Sequence, residues 1–388
     1  MKIVLISTLN HNPGDEIIRL GQEHVLRKGF PDAEFKAVHK HDPRTLFAGF
    51  SQRVISPRRL ISAQLYKLYA ATLGSRDRNY LDEADLVVFA GTPFIWRNQV
   101  RFFRATSANA EWVHATWDRL FCQLQGKQVM NLAAGTSVTS RAQIDELFED
   151  RPVLGFLRRA VERTCLTTAR DILTKQILDK LGFRVPLIPC SSILSSQGAG
   201  LSAQSPEYVV FNVMRAAGPG GRGVSNASNK WRETVSSIVR HIEKNHPVLF
   251  VSHSAEDDAT TAEWFPHHRR FFSMNPIELL RVYSKALYGI CNRVHSGGAI
   301  ASFGRPVIVI GGDSRVDLIK QFGMPAVDHR EIGHAELLAM IEDLESNYGA
   351  YVEKLKKVIG STERAYVDAI CATDVFSNRQ PTAMAVGQ

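Results

Sequence analysis

Cysteine is scarce: the five in the chain (Cys122, Cys165, Cys190, Cys291, Cys371) are scattered, odd in number and without CxxC spacing. That argues against a disulfide framework and a cysteine-rich zinc module, and it suits a reducing compartment. No apolar run approaches the roughly 18 residues that a membrane-spanning helix needs. The first strand is not followed by a GxGxxG fingerprint, and the glycine-rich stretch 218–223 lacks a P-loop GK[ST] ending. GxSxG, HExxH and Cys/His nucleophile patterns are missing too, so the commonest hydrolase readings lose ground. There is no low-complexity tract and no repeat beyond an alternation of strand and helix. The N-terminus enters a strand directly, with no apolar signal region, and the expectation is a cytoplasmic protein.

Charge is present in both signs with a basic excess. The 47 Lys+Arg against 39 Asp+Glu leave a formal net charge of +8. This favours anionic partners such as phosphorylated metabolites, glycans, lipid or nucleic acid, without choosing among them. No reader module or basic stripe with aromatics accompanies it, so nucleic acid is set aside. At 388 residues the chain is long enough for two domains.

Apolar stretches at residues 3–7, 33–38, 85–90, 127–133 and 165–168 read as strands, each leading to a turn or a helical pattern. The rhythm restarts at 208–214, 247–251, 288–291 and 307–310, which implies parallel sheets flanked by helices. Between the two series lies a Ser/Gly/Ala/Gln stretch, 191–206, the best candidate linker. The expected organisation is therefore a domain at 1–190, a linker at 191–206, a domain at 207–373 and a flexible tail at 374–388. Residues 60–69 carry a helical apolar stripe among basic residues, read as a solvated helix face ahead of a membrane-touching one. Residues 334–369 read as one long helical region.

The most informative stretch is 287–312. Its first strand brings Asn292, Arg293 and His295 to a carboxyl end, where parallel sheets present their ligand crevice. An arginine, an imidazole and a helix N-terminus together suit an anionic substrate, and Gly297 and Gly298 let another surface approach. The other reading is a buried unit in which Arg293 and His295 cap their neighbours. His253 and Arg170 also follow strands, as acid/base or anion-binding candidates or as scaffold residues. Glu256, Asp257 and Asp258 read as helix capping, with no metal role. Gly14 and Asp15 open a helix after the first strand, and loop 218–223 either closes over the cleft or touches phosphate.

Taken in order, these motifs resemble the polysaccharide pyruvyl transferase family. Asn12-Pro13-Gly14-Asp15-Glu16 resembles its N-x-G-D element, and Gly91-Thr92-Pro93 stands at its glycine-rich strand end. Thr168-Ala169-Arg170-Asp171 with Leu178 and Gly182, then Pro189-Cys190, resembles its central segment. Val251-Ser252-His253 with Asp257 resembles its P-x-H…D turn. Asn292-Arg293-Val294-His295 with Ala299, Ala301, Gly304 and Pro306 tracks its R-l-H…A…G-x-P block. Thr92, Pro93 and Ser191 depart from the pattern.

The resemblance implies an α/β fold of two Rossmann-like domains facing across a cleft, glycosyltransferase-B-like. It implies transfer of pyruvyl from phosphoenolpyruvate to two hydroxyls of a cell-surface or exopolysaccharide sugar, or of its lipid-linked precursor, as a cyclic ketal. No cofactor and no metal are implied; phosphoenolpyruvate is the co-substrate. Arg293 would bind one anion of the donor and His295 would act as general acid, with His253 a second catalytic candidate and Arg170 a second anion ligand. Ser296 and Gly297 would line the donor side, and Asn12, Gly14 and Asp15 the acceptor side. Peripheral contact with the inner face of the membrane is left open, as is the oligomeric state. The rival readings are a nucleotide-sugar glycosyltransferase of the same architecture and a non-catalytic glycan-assembly protein.

Overall fold

The computed structural model describes residues 1–10, 12–39, 78–90, 95–96, 124, 126–137, 142–149, 151–215, 225–329 and 332–377. The basic helix expected at 60–69, the strand end at 91–93, most of a helix expected at 111–124 and loop 218–223 lie outside the described residues.

The first half runs β1 (Lys2–Ser7), α1 (Pro13–Gly29), β2 (Glu34–His39), α2 (Arg78–Glu83), β3 (Leu86–Ala90), β4 (Ile95–Trp96), β5 (Gln128–Ala134), β6 (Thr136–Ser137), α3 (Ala142–Glu149), α4 (Arg151–Glu162), β7 (Leu166–Ala169) and α5 (Ile172–Lys180). Its main sheet is parallel, in the order β2-β1-β3-β5-β7. Ile3 to Ile6 and Leu86 to Ala90 are buried without alternation, as expected of strands covered by helices on both faces. Asn12 caps α1, accepting the Gly14 N–H at 3.1 Å; Asp15 and Glu16 lie in its first turn and Arg27 and Lys28 in its last.

A 3-10 turn (Ser191–Leu194) and α6 (Ser195–Gly198) lead to the second half. This comprises β8 (Tyr208–Asn212), α7 (Ser225–Ile242), β9 (Val248–Ser252), α8 (Ala255–Trp264), β10 (Arg270–Phe272), α9 (Pro276–Tyr283), β11 (Ala286–Cys291), α10 (Val294–Ala301), β12 (Val307–Gly311), α11 (Val316–Gln321) and β13 (Ala326–Asp328). Its sheet is also parallel, in the order β10-β9-β8-β11-β12-β13. The strand order reverses direction between β1 and β3 in one sheet and between β8 and β11 in the other. Ligands gather at the carboxyl ends beside such reversals. Asn12 and Gly14 follow β1, Met214 follows β8, and Arg293 and His295 follow β11.

The stretch expected as a linker is, over 191–198, a buried wedge between the halves. Ser191 Oγ donates to the Ile18 carbonyl of α1 at 3.0 Å, and Ser196 Oγ to the Ser302 carbonyl beyond α10 at 2.7 Å. Beyond it, Gly200 and residues 202–207 are exposed. The helical region expected at 334–369 breaks at Asn347 into α12 (His334–Ser346) and α13 (Tyr348–Cys371), and α14 (Asp374–Ser377) occupies the start of the expected tail. α13 starts on the second half, where Tyr348 Oη donates to the Leu287 carbonyl at 2.9 Å. It ends on the first, where Glu363 meets Lys28 at 2.6 Å and Ile370 packs over Gly29. Among the described residues no helix is long and apolar enough to cross a membrane.

Candidate active site

Two asparagines stitch the strand ends from which the site is built. Asn212, closing β8, gives its side-chain N–H to the Val251 carbonyl at 2.9 Å and accepts the Arg293 N–H at 2.7 Å. Asn292, after β11, donates to the Ile310 carbonyl at 2.8 Å and accepts the Met214 N–H at 3.0 Å. Four adjacent strands are thereby locked at their carboxyl ends, which fixes where α10 begins. A cavity opens there, lined by Asn12, Gly14, His253, Arg293, His295 and Arg315 among others.

His295, in the first turn of α10, is 8% exposed and packs against the N-terminus of α1. A Cβ on Gly14 would sit 2.4 Å from its Nδ1, so only glycine admits the ring. Its Nε2 is buried with no hydrogen-bond partner among the described residues. Burial, and then the charges of Arg170, Arg315, His253 and Arg293, hold His295 well below the usual histidine range. In the free protein at neutral pH it is a neutral base.

The three arginines differ in how they are held. Arg293 forms a two-point pair with Asp257 (2.9 and 3.0 Å) and reaches Ser254 Oγ at 3.2 Å. Arg315 is gripped likewise by Asp313, at 2.9 and 2.7 Å. Arg170, directly after β7, is 0% exposed, and among the described residues its Nε, Nη1 and Nη2 all lack a hydrogen-bond partner. Its guanidinium packs on Gly135, where a Cβ would lie 2.0 Å from Nε. Arg170 stands behind the residues that line the cavity, and its charge acts on Asp171 and His295. A buried guanidinium without a hydrogen bond is unfavourable, so this geometry suits an anion reaching it from the cavity side. The unengaged planar fork belongs to Arg170; Arg293, expected to bind one anion of the donor, has its fork engaged by Asp257.

The remaining candidates divide. His253 lines the cavity, but its Nε2 stands 2.6 Å from Tyr283 Oη and 3.1 Å from Ser296 Oγ. Burial, with Arg293 adding to it, pushes His253 down to about 3, so it too is neutral. Ser296 is fully buried in that network, and Gly297 packs on β12, where a Cβ would lie 2.5 Å from Val309 Cγ2. Neither is among the residues that line the cavity. Asn12 and Gly14 line the cavity, whereas Asp15 is turned inward to accept from the Thr8 hydroxyl. Arg170 does not pair with its neighbour Asp171, which caps α5 and accepts from Thr174 and Thr136. Sequence reasoning missed Arg315, Asp313 and Asn212. The glycine pair at Gly311 and Gly312, closing a strand, was the signal for the first two.

The polysaccharide pyruvyl transferase family model matches residues 12–314. No curated protein matches the chain. Among solved structures, S. aureus MnaA with UDP aligns at TM-score 0.56 and 10% identity, over 95% of this chain and 96% of its own. UDP-GlcNAc 2-epimerase from Neisseria meningitidis, bound to UDP-GlcNAc, aligns at TM-score 0.54 and 11% identity, over 95% of this chain and 99% of its own. At such identities the likeness is one of fold, and that fold is glycosyltransferase-B-like.

Proposed function

Because the chain belongs to the polysaccharide pyruvyl transferase family, we propose that its donor is phosphoenolpyruvate and that it builds a pyruvate ketal on a saccharide acceptor. The observation that carries this is the buried, unanswered guanidinium of Arg170 near the unpartnered Nε2 of His295. Phosphoenolpyruvate brings a phosphate and a carboxylate on one small carbon frame, and both need cations. Arg170 takes one of them as a planar two-point ligand. Arg293 and Arg315, already oriented by Asp257 and Asp313, supply the positive field around the other.

Burial keeps His295 neutral and the arginine charges add to it; the arriving anion offsets those charges, so His295 takes up a proton with the donor. It then protonates the methylene carbon, and the C=C electron pair forms the new C–H bond. The oxocarbenium at C2 is captured by one acceptor hydroxyl, whose proton returns to His295. The C2–O bond to phosphate breaks, the second hydroxyl adds at C2, and its proton leaves with phosphate. One phosphoenolpyruvate and one diol thus yield one ketal and one hydrogen phosphate. His253, tied to Tyr283 and Ser296, supports α10 and the placement of His295.

The acceptor is a sugar of a cell-surface or exopolysaccharide, or its lipid-linked precursor, in a cytoplasmic reaction. The test is incubation with phosphoenolpyruvate and a panel of lipid-linked and nitrophenyl sugars in deuterium oxide. The expected result is phosphate release matched by a ketal whose methyl carries solvent deuterium. Turnover of a nucleotide sugar on the same panel, with none of phosphoenolpyruvate, would overturn the reading.

A further inference from the structure

We propose that Thr168 is a positioning residue for anion binding: its hydroxyl holds a strained bulge in β5 that forms the seat of the Arg170 guanidinium. The inference rests on the reading of Arg170 as the donor's anchor.

Pairing between β5 and β7 slips between Asn131 and Ala134. Within the slip, Ala133 has a φ of 55°, the left-handed region that a residue with a Cβ avoids. Ala133 is buried, and its N–H donates to Thr168 Oγ1 at 2.8 Å. One residue on, the Ala134 carbonyl accepts the Arg170 N–H at 2.9 Å. Gly135 follows with its bare Cα against the guanidinium; a Cβ there would lie 2.0 Å from Nε and 2.5 Å from Cζ.

Thr168 lies in β7 and Arg170 directly follows the strand, its N–H still paired with β5, so the two side chains, two residues apart, leave on one face. The hydroxyl addresses the start of the bulge and the guanidinium its end. The bulge re-aims the backbone so that glycine, the one residue the guanidinium tolerates, comes to lie beneath it. Strain held in place beside a functional group is where pre-organisation is expected. Without the Thr168 bond, Ala133 is free to relax toward the extended region, and Gly135 shifts with it. An anion ligand displaced by a fraction of an ångström no longer meets its partner squarely. The hydroxyl itself is engaged by the Ala133 N–H, and its part is to hold the bulge.

The experiment is calorimetric titration of phosphoenolpyruvate, with steady-state kinetics, on the full chain and on Thr168→Val, Thr168→Ser, Gly135→Ala and Arg170→Met. Thr168→Val is expected to raise both Kd and KM about tenfold and to leave kcat within about threefold. Thr168→Ser, which keeps the hydroxyl, is expected to restore binding to within about threefold of the parent. Gly135→Ala approaches the same seat without touching Thr168, and its Cβ should weaken binding by displacing Arg170. It decides the matter if the valine variant does not fold. Parent affinity in Thr168→Val or in a folded Gly135→Ala, with binding lost in Arg170→Met, overturns the positioning role and leaves the anchor standing. Parent affinity in Arg170→Met overturns the anchor, and Thr168's role with it. Equal losses in the valine and serine variants also count against the hydroxyl.

Discussion

An arginine buried without a carboxylate or carbonyl to answer it destabilises the fold that contains it, by several kcal/mol where water is excluded. Arg170 has no hydrogen-bond partner among the described residues, although the charge of Asp171 acts on it, and replacing it should separate stability from binding. Arg170→Met fills much the same volume without a charge. It should raise the stability of the ligand-free protein by about 1–4 kcal/mol in urea unfolding and abolish any stabilisation by added phosphoenolpyruvate. Destabilisation would mean that the guanidinium is answered within the fold. His253 and His295 make a second test at this scale. Both are held below their unfolded value of about 6.5, His253 to about 3. The unfolded chain therefore binds more protons than the folded one below that value. Stability should be full above about pH 6.5 and fall as pH drops toward 3, by at most about 1.4 kcal/mol per pH unit for each ring. His295→Gln should make that slope shallower. Arg170, Arg293 and His295 were visible in the sequence because each follows an apolar strand. That Arg293 is engaged and Arg170 is not was invisible, because Asp257 reaches Arg293 only once the ends of β9 and β11 are aligned.

At the scale of elements, the buried wedge at 191–198 shows why composition misled. Serine and glycine suit a loose linker, but they also suit two helices that must come very close. A Cβ on Gly21 would lie 1.8 Å from the Ser191 carbonyl oxygen, and one on Gly298 would lie 2.3 Å from Ser192 Oγ. The serine hydroxyls then satisfy carbonyls that the contact removes from water. Gly21→Ala should cost about 1–3 kcal/mol, because the group it meets is backbone and cannot rotate away. Gly360→Ala, in the middle of α13 with only the tip of Arg364 nearby at 3.8 Å, should instead stabilise by about 0.5–1 kcal/mol. Melting curves of the two variants decide the point: equal shifts would mean that the wedge is not tightly packed. The strands themselves were legible, since an unbroken apolar run of four to six residues between turn signals leaves few alternatives.

For the whole molecule, the alternation of strand and helix gave the α/β class and the two halves, but the route of the chain was not written in it. Sheet order depends on crossovers that no local pattern records, and the two reversals of strand order bring Gly14 against His295 from opposite halves. α13 returns from the second half to the first, tying them beyond the end of the family match at residue 314. Ile370, fully buried near the end of that tie, packs over Gly29. Ile370→Ala should cost about 2–5 kcal/mol and, on the proposed reading, weaken phosphoenolpyruvate binding as well, since Arg170 belongs to one half and His295, Arg293 and Arg315 to the other. Lost stability with unchanged binding would show that the halves keep their alignment without α13. The most direct test of the whole account is phosphate release from phosphoenolpyruvate, measured with ketal formation on the sugar panel, for the parent protein and for His295→Gln. The account predicts equal amounts of phosphate and ketal in the parent and neither in the variant. Ketal formation at the parent rate in His295→Gln, or phosphate release without any ketal, would contradict it.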